Sequence, residues 1–381
     1  MAPPMGFIVG AHEARYTRHP PAERDTESYL VEAVLGALAD AGVERRAVDG
    51  LGVSSFSLAP DHAIDLAWRL GLSLRWLMED TNGGASGLNM LQHALRAIAS
   101  GDAETIVLCA GDRLDRDGFR GLVDNYNRAT REHLAPLPFG GPNAAFAFLT
   151  ERHALANGLG RSDYACVPLA QRAWAAGNPG AVYREPLTLE DYLAAPMVAP
   201  PLCRLDCVPV VAGADAIVLR AAPVAGAPAV RTLALAARHN TDQQDGDALH
   251  SGFADLAGEL WATAGAAPGD LDAAYLYDDY PVMVAIQAAD LGLVADGDLR
   301  RWLHERVLAE RWPLNTSGGQ LSAGQAGAAG GMHGLVEAVR RLRGTAAGSE
   351  AGVRLALVCG YGMVLYRHGA CHVAALLERV G

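Results

Sequence analysis

The sequence predicts a duplicated α/β fold in which strands lie between layers of helices. Three observations carry this expectation. Residues 26–55 and 250–279 present the same parts in the same order. Residues 82–112 and 322–362 form a second matched pair. Half of the 381 residues are hydrophobic and only 19% are charged, which is the balance of a folded chain long enough for two cores.

In the first pair, "TESYLVEAVLGALADAG" has apolar positions at helical spacing and stops at Gly42. Seven residues later Asp49 precedes "GLGVSS", which reads as a strand. Its counterpart "HSGFADLAGELWATAG" stops at Gly265, and Asp272 follows after the same interval, before the strand "AAYLYDD". A glycine ends each helix because the left-handed residue beyond a helix costs glycine least. In the second pair, a glycine-rich turn opens an apolar helix that leads to a strand. "NGGASGLNMLQHALRAIASGDAETIVLCAGD" does this once, and "SAGQAGAAGGMHGLVEAVRRLRG" with "AGVRLALVCGYG" does it again. Leu88, Leu91, Leu95 and Ile98 line the first of these helices, which suits burial between layers.

The halves divide at "AAPVAGAPAV", giving residues 1–222 and 223–381. Within the first half, residues 112–210 form an excursion of the size of an inserted functional subdomain. Arg113, Arg116, Arg120, Arg128 and Arg131 lie in it, interleaved with acids. They read either as a solvated surface or as contacts to the phosphates of a nucleotide-tailed substrate.

Composition excludes several chemistries. All 31 basic side chains are arginine, so no lysine Schiff base, pyridoxal-phosphate lysine or P-loop lysine exists. The net charge of −12 and the lack of a basic run argue against nucleic acid as a partner. Six scattered cysteines form no CxxC pair, so no metal site is expected and buried thiols in a reducing cytoplasm are. The start "MAPPMGFIVG" does not read as a signal peptide, and no apolar run suits a membrane span.

Four stretches together resemble the thiolase superfamily, nearest to its sterol-carrier or lipid-transfer type. They are "NGGASGLNMLQHALRAIASGDAETIVLCAGD", "PLCRLDCVPVVAGADAIVL", "AYLYDDYPVMVAIQAADLGL" and "PLNTSGGQLSAGQAGAAGGMHGLVEAVRRLRG". The resemblance implies a five-layer αβαβα fold. It also implies an acyl thioester substrate, on coenzyme A or a phosphopantetheine carrier, and no covalently bound cofactor. A homodimer through the first half is implied, with the strand at Ile106–Ala110 pairing across the two-fold axis. A small OB-fold protein with a zinc ribbon accompanies many relatives of this type.

Against that pattern the catalytic positions are rewritten. The family's Cys-x-Ser-Gly-Leu reads "GASGL", with Gly84 in place of the nucleophile. The histidine of the family's Gly-His loop is Gln325, which cannot accept a proton near neutral pH. The "HDCF" stretch reads "YDDY", with Tyr277 for the histidine, followed by Asp278, Asp279 and Tyr280. The C-terminal "CGYGM" has Gly360 where many thiolases carry a second cysteine, with Tyr361 and Gly362 beside it.

The candidate catalytic residues are therefore Tyr277, Asp279 and Tyr361. The candidate substrate contacts are Gly84, Gln325, His333 and Gly362. Only one of Asp278 and Asp279 is expected to face the site, the other capping the helix that opens at Pro281. Asn315 is expected to fix its loop's backbone. Three readings stay open: the first is a carbon–carbon lyase of retro-aldol type, which needs no acyl-enzyme, and the second a non-catalytic subunit of a larger complex. Unusual acyl transfer is a third.

Overall fold

A computed structural model describes residues 6–124, 132, 136, 141–241, 247–348, 352–365 and 368–381. The chain runs β1 (Phe7–Thr17), α1 (Thr26–Ala41), β2 (Gly50–Ser54), α2 (His62–Leu70), β3 (Trp76–Glu79), α3 (Ser86–Ser100) and β4 (Thr105–Asp112). The excursion holds α4 (Arg116–Asp124), α5 (Pro142–Asn157), α6 (Arg161–Tyr164), α7 (Cys166–Ala175), α8 (Leu189–Ala194) and the small hairpin β5 (Met197–Ala199) and β6 (Leu202–Cys203). β7 (Ala212–Arg220) returns to the main sheet. The second half has β8 (Ala229–His239), α9 (Gly252–Ala264), β9 (Ala273–Tyr275), α10 (Pro281–Asp290) and α11 (Leu299–Arg301), which runs into a π-helical stretch at Trp302–Ala309. It ends with α12 (Gly319–Ala323), α13 (Gly330–Arg343), β10 (Leu355–Leu365) and β11 (His368–Val380).

The duplication is visible in the sheet itself. Nine strands run in the order β3-β2-β4-β7-β1-β8-β11-β10-β9. Outward from the centre, β1, β7, β4 and β2 match β8, β11, β10 and β9. In both sets the first two pairings are antiparallel and the third is parallel. Among the described residues the ladder joins the two sets at Phe7↔Arg231 and Ile8↔Val230.

The predicted helix stops hold, since Gly42 and Gly265 are both left-handed C-caps. Helix α1 packs on one side of the first set with Tyr29, Leu30 and Leu38 buried, and α9 covers the second with Phe253, Leu256 and Leu260. Between the sets lie α3 and α13, whose apolar faces share one core with strands of both halves. These two helices touch main chain to main chain: a Cβ on Gly87 would overlap the carbonyl of Gly331. The residues Ala221–Pro228 that join the halves are largely exposed.

Two expectations need correction. The strand at Ile106–Ala110 is interior, with β2 on one side and β7 on the other. Among the described residues the free edge of the first half is β3, where Leu77 is exposed beside Trp68 and Ile64 of α2. The strand drawn as "AAYLYDD" stops at Tyr275, because the chain leaves the ladder to form the loop that carries Tyr277, Asp278 and Asp279. Arg128 and Arg131 lie outside the described residues. Among these residues no helix is long and apolar enough to cross a membrane, and the cysteines are free and mostly buried.

Candidate active site

Three loops converge at the N-terminus of α3. The first precedes α3 itself, where Asp80 accepts from the backbone N–H of Asn82 at 2.8 Å and also holds the side chain of Asn89. This fixes the turn that presents Gly83 and Gly84. The second follows β9. Gln287 of α10 grips Tyr277 from both sides: Tyr277 N donates to its Oε1 at 3.0 Å, and its Nε2 donates to the Tyr277 carbonyl at 2.7 Å. Asn315, in the left-handed region, donates from Nδ2 to the Leu276 carbonyl at 2.9 Å, which is the backbone role expected of it. The third is the glycine-rich loop. Gln325 is tied to the first half, donating from N to the Pro209 carbonyl and accepting from Val211 N.

These anchors bring Tyr277, Asp279 and Gln325 into one cluster. The Tyr277 hydroxyl donates to Asp279 Oδ2 at 3.2 Å and accepts from Gln325 Nε2 at 3.1 Å. Gln325 Nε2 also meets Asp279 Oδ1 and, at 3.1 Å, Gln320 Oε1. Tyr277 is buried, while Asp279 and Gln325 are half-buried. Burial pushes the Asp279 carboxyl up, and the charge of Asp278 adds to that. The hydrogen bonds from Tyr277 and Gln325 oppose them, and the balance lies at about 7. A carboxyl near neutrality can take up and return a proton.

Above this cluster stands Gly84. A Cβ built there would overlap the Tyr277 ring and the Tyr361 carbonyl. The backbone of Gly362 approaches from β10. A Cβ on it would overlap the Asn82 carbonyl and lie 2.8 Å from the amide nitrogens of Gly84 and Ala85. Two glycines thus let two main-chain segments close over the tyrosine.

The chain matches the Thiolase C-terminal domain-like family over residues 234–374. It is 33% identical to the 17-hydroxy-3-oxo-4-pregnene-20-carboxyl-CoA lyase of Mycobacterium tuberculosis, covering 92% of this chain and 95% of its relative. The chain belongs to the thiolase superfamily. It is also 32% identical to the steroid side-chain-cleaving aldolase of Thermomonospora curvata, over 93% of this chain and 95% of that one. The solved structure of an Ltp2-ChsH2(DUF35) aldolase superposes with a TM-score of 0.83 at 27% identity, covering 99% of this chain and 98% of that one.

Three of the rewritten positions, Gly84, Gln325 and Tyr277, sit together. Tyr361 does not join them through its side chain. Residues alternate along β10, so Gly360 and Gly362 face the α3 turn while the Tyr361 ring turns to α9. There it lies edge-on to Phe253 and against His372, with ring centroids 5.9 and 4.7 Å away. The Tyr361 ring thus packs on the α9 side, and its carbonyl borders Gly84. Asp278 turns away from Tyr277, as expected of one of the pair, but the helix it caps is not the one at Pro281. Its oxygens accept from Gln320 N and Leu321 N, in the first turn of α12. His333 is buried against Glu13 and Ser317.

Two residues that support the cluster were missed in the sequence. Gln287 holds Tyr277, and Gln320 links Asp278 to Gln325 through Nε2 at 3.4 Å and Oε1. Gln287 lies ten residues beyond Tyr277, and a lone amide in the apolar run "PVMVAIQAAD" was the available signal.

Proposed function

We propose that this protein cleaves a carbon–carbon bond of a β-hydroxyacyl thioester by a retro-aldol reaction, without an acyl-enzyme. The observation that supports it most is the phenol of Tyr277, bonded to a carboxyl tuned near 7, in the space a nucleophile at position 84 would need. The substrate β-hydroxyl passes its proton to the Tyr277 oxygen as the Tyr277 proton moves to Asp279. The Cα–Cβ bond breaks, a carbonyl forms at Cβ, and the electron pair becomes a thioester enolate. N–H groups of the Gly84 and Gly362 segments hold the enolate oxygen. Return of the proton to Cα releases the shortened thioester. Gln325 orients the phenol and carries no proton away.

The thioester is carried on coenzyme A, as the printed name of the lyase relative suggests, or on another phosphopantetheine arm. The protein acts as a homodimer joined at β3. Among the described residues that edge is open, and Trp68, Ile64 and Leu77 would leave water on pairing. A small OB-fold protein with a zinc ribbon completes the assembly, a reading supported by the DUF35 partner in the superposed aldolase.

Incubating the protein, with and without a co-expressed partner of that type, with β-hydroxyacyl-coenzyme A thioesters tests the reaction. Appearance of a ketone or aldehyde and a shortened thioester is expected. No cleavage of any such thioester in the complete complex would overturn the reading in favour of a non-catalytic subunit.

A further inference from the structure

A second polar cluster lies beneath the site. Glu13 of β1, Asp215 of β7 and His333 of α13 meet with their donor atoms within 4.8 Å of one another. His333 is 2% exposed. Its Nδ1 pairs with Glu13 Oε2 at 2.9 Å, and its Nε2 shares a hydrogen bond with Ser317 Oγ at 2.7 Å. Tyr16 donates to Asp215 Oδ2 at 2.7 Å, while Asp215 Oδ1 finds no partner among the described residues.

From Ser317 the chain of contacts leads to the candidate catalytic carboxyl. Ser317 Oγ accepts from Gly319 N at 3.2 Å. Gly319 is left-handed at φ 59°, and a Cβ there would overlap Asp278. The next two N–H groups, of Gln320 and Leu321, reach Asp278 at 3.1 and 3.4 Å. Asp278 lies beside Asp279 and pushes its carboxyl up.

We propose that His333 is a positioning residue that acts on Asp279 through Asp278: bridging Glu13 and Ser317, it fixes the Ser317–Leu321 turn that seats Asp278 beside Asp279. This rests on the reading of Asp279 as the proton acceptor. The electrostatics agree. Burial would lower the His333 imidazolium, but Glu13, Asp215 and Asp278 raise it to about 9. Its charge in turn opposes the burial that raises Asp278. The other groups facing this pair are Tyr16 of β1, and Arg340 of α13 and His12 of β1, which act on Glu13. Tyr277 and Cys207 face Asp279.

The direction follows. Without a cation at 333, Asp278 takes a proton at a higher pH. The negative charge that raises Asp279 is then weakened, and Asp279 titrates lower. The test follows the Asp279 carboxyl by ¹³C NMR in protein with labelled aspartate, the signal being assigned by its loss in Asp279→Asn. His333→Gln and Glu13→Gln, checked as folded by thermal melting, should each lower its midpoint by about one pH unit. In an Asp278→Asn background, His333→Gln should add no further shift.

An unmoved midpoint in both folded variants would overturn the proposal. So would the same shift persisting without Asp278. A stoichiometric divalent metal in the purified protein, lost in Asp215→Asn, would overturn it too, because the cluster would then be a metal site. If instead Asp279→Asn keeps full activity, the reading of the reaction fails while the NMR result still decides the coupling.

Discussion

The Tyr277 ring fills the space that a side chain at position 84 would occupy. The missing nucleophile and the added phenol are therefore one change seen from two sides. A cysteine at 84 would collide with the ring, and a phenol at 277 fits because 84 is glycine.

Restoring the cysteine should consequently fail in two ways. Gly84→Cys should gain no thiolase activity and should lose stability by roughly 1–3 kcal/mol, the scale of overpacking. Thermal melts and intact-mass measurement with acetyl-coenzyme A check this. A stable acetyl adduct on the wild-type protein would remove the premise.

Tyr277→Phe should lower turnover by roughly 10²-fold or more with little change in KM. Tyr361→Phe should leave turnover within about threefold of wild type, since its ring stands against Phe253 and His372. Steady-state kinetics on the two variants side by side separates them.

The rate should fall on acidification through about pH 7, because Asp279 accepts a proton only when ionised. Stability should run the other way. The folded carboxyl lies well above its unfolded value of 3.8, so its contribution is full below that value and is lost as pH rises through about 7. Asp279→Asn should accordingly raise Tm more at pH 8 than at pH 5, while abolishing turnover at both. Melts and rates measured across that range give the answer.

Light scattering should show twice the chain mass in solution. Leu77→Glu, which places a charge on the open edge of β3, should shift the protein toward monomer. A wild-type monomer at micromolar concentration would exclude pairing at this edge.

The repeated helix–strand units were legible because glycine stops and apolar spacing are local properties. Gly42 and Gly265 end their helices as read. The meeting of Gly84, Gln325 and Tyr277 was legible only through the family pattern, since three separate loops bring it about. The sheet edge was misread because strand order is a long-range property. Nothing in "TIVLCA" distinguishes an interior strand from an outer one, for both are apolar. The direction of Tyr361 was decided by one residue of register in β10, which the neighbouring glycines do not reveal. Gln320 and Gln287 escaped notice because an amide carries no chemistry of its own.

The exposed Ala221–Pro228 connection has a practical consequence. A cut between Ala225 and Gly226 would sever one turn bond, from Ala227 N to the Val224 carbonyl, and no rung of the sheet. The halves would still be clasped by α3 against α13 at Gly87 and Gly331. The protein is thus suited to production as two separately expressed pieces that reassemble. Since Gly84 lies on one piece and Tyr277 on the other, each could be carried in a different variant and the pair mixed at will, so that activity itself would report reassembly.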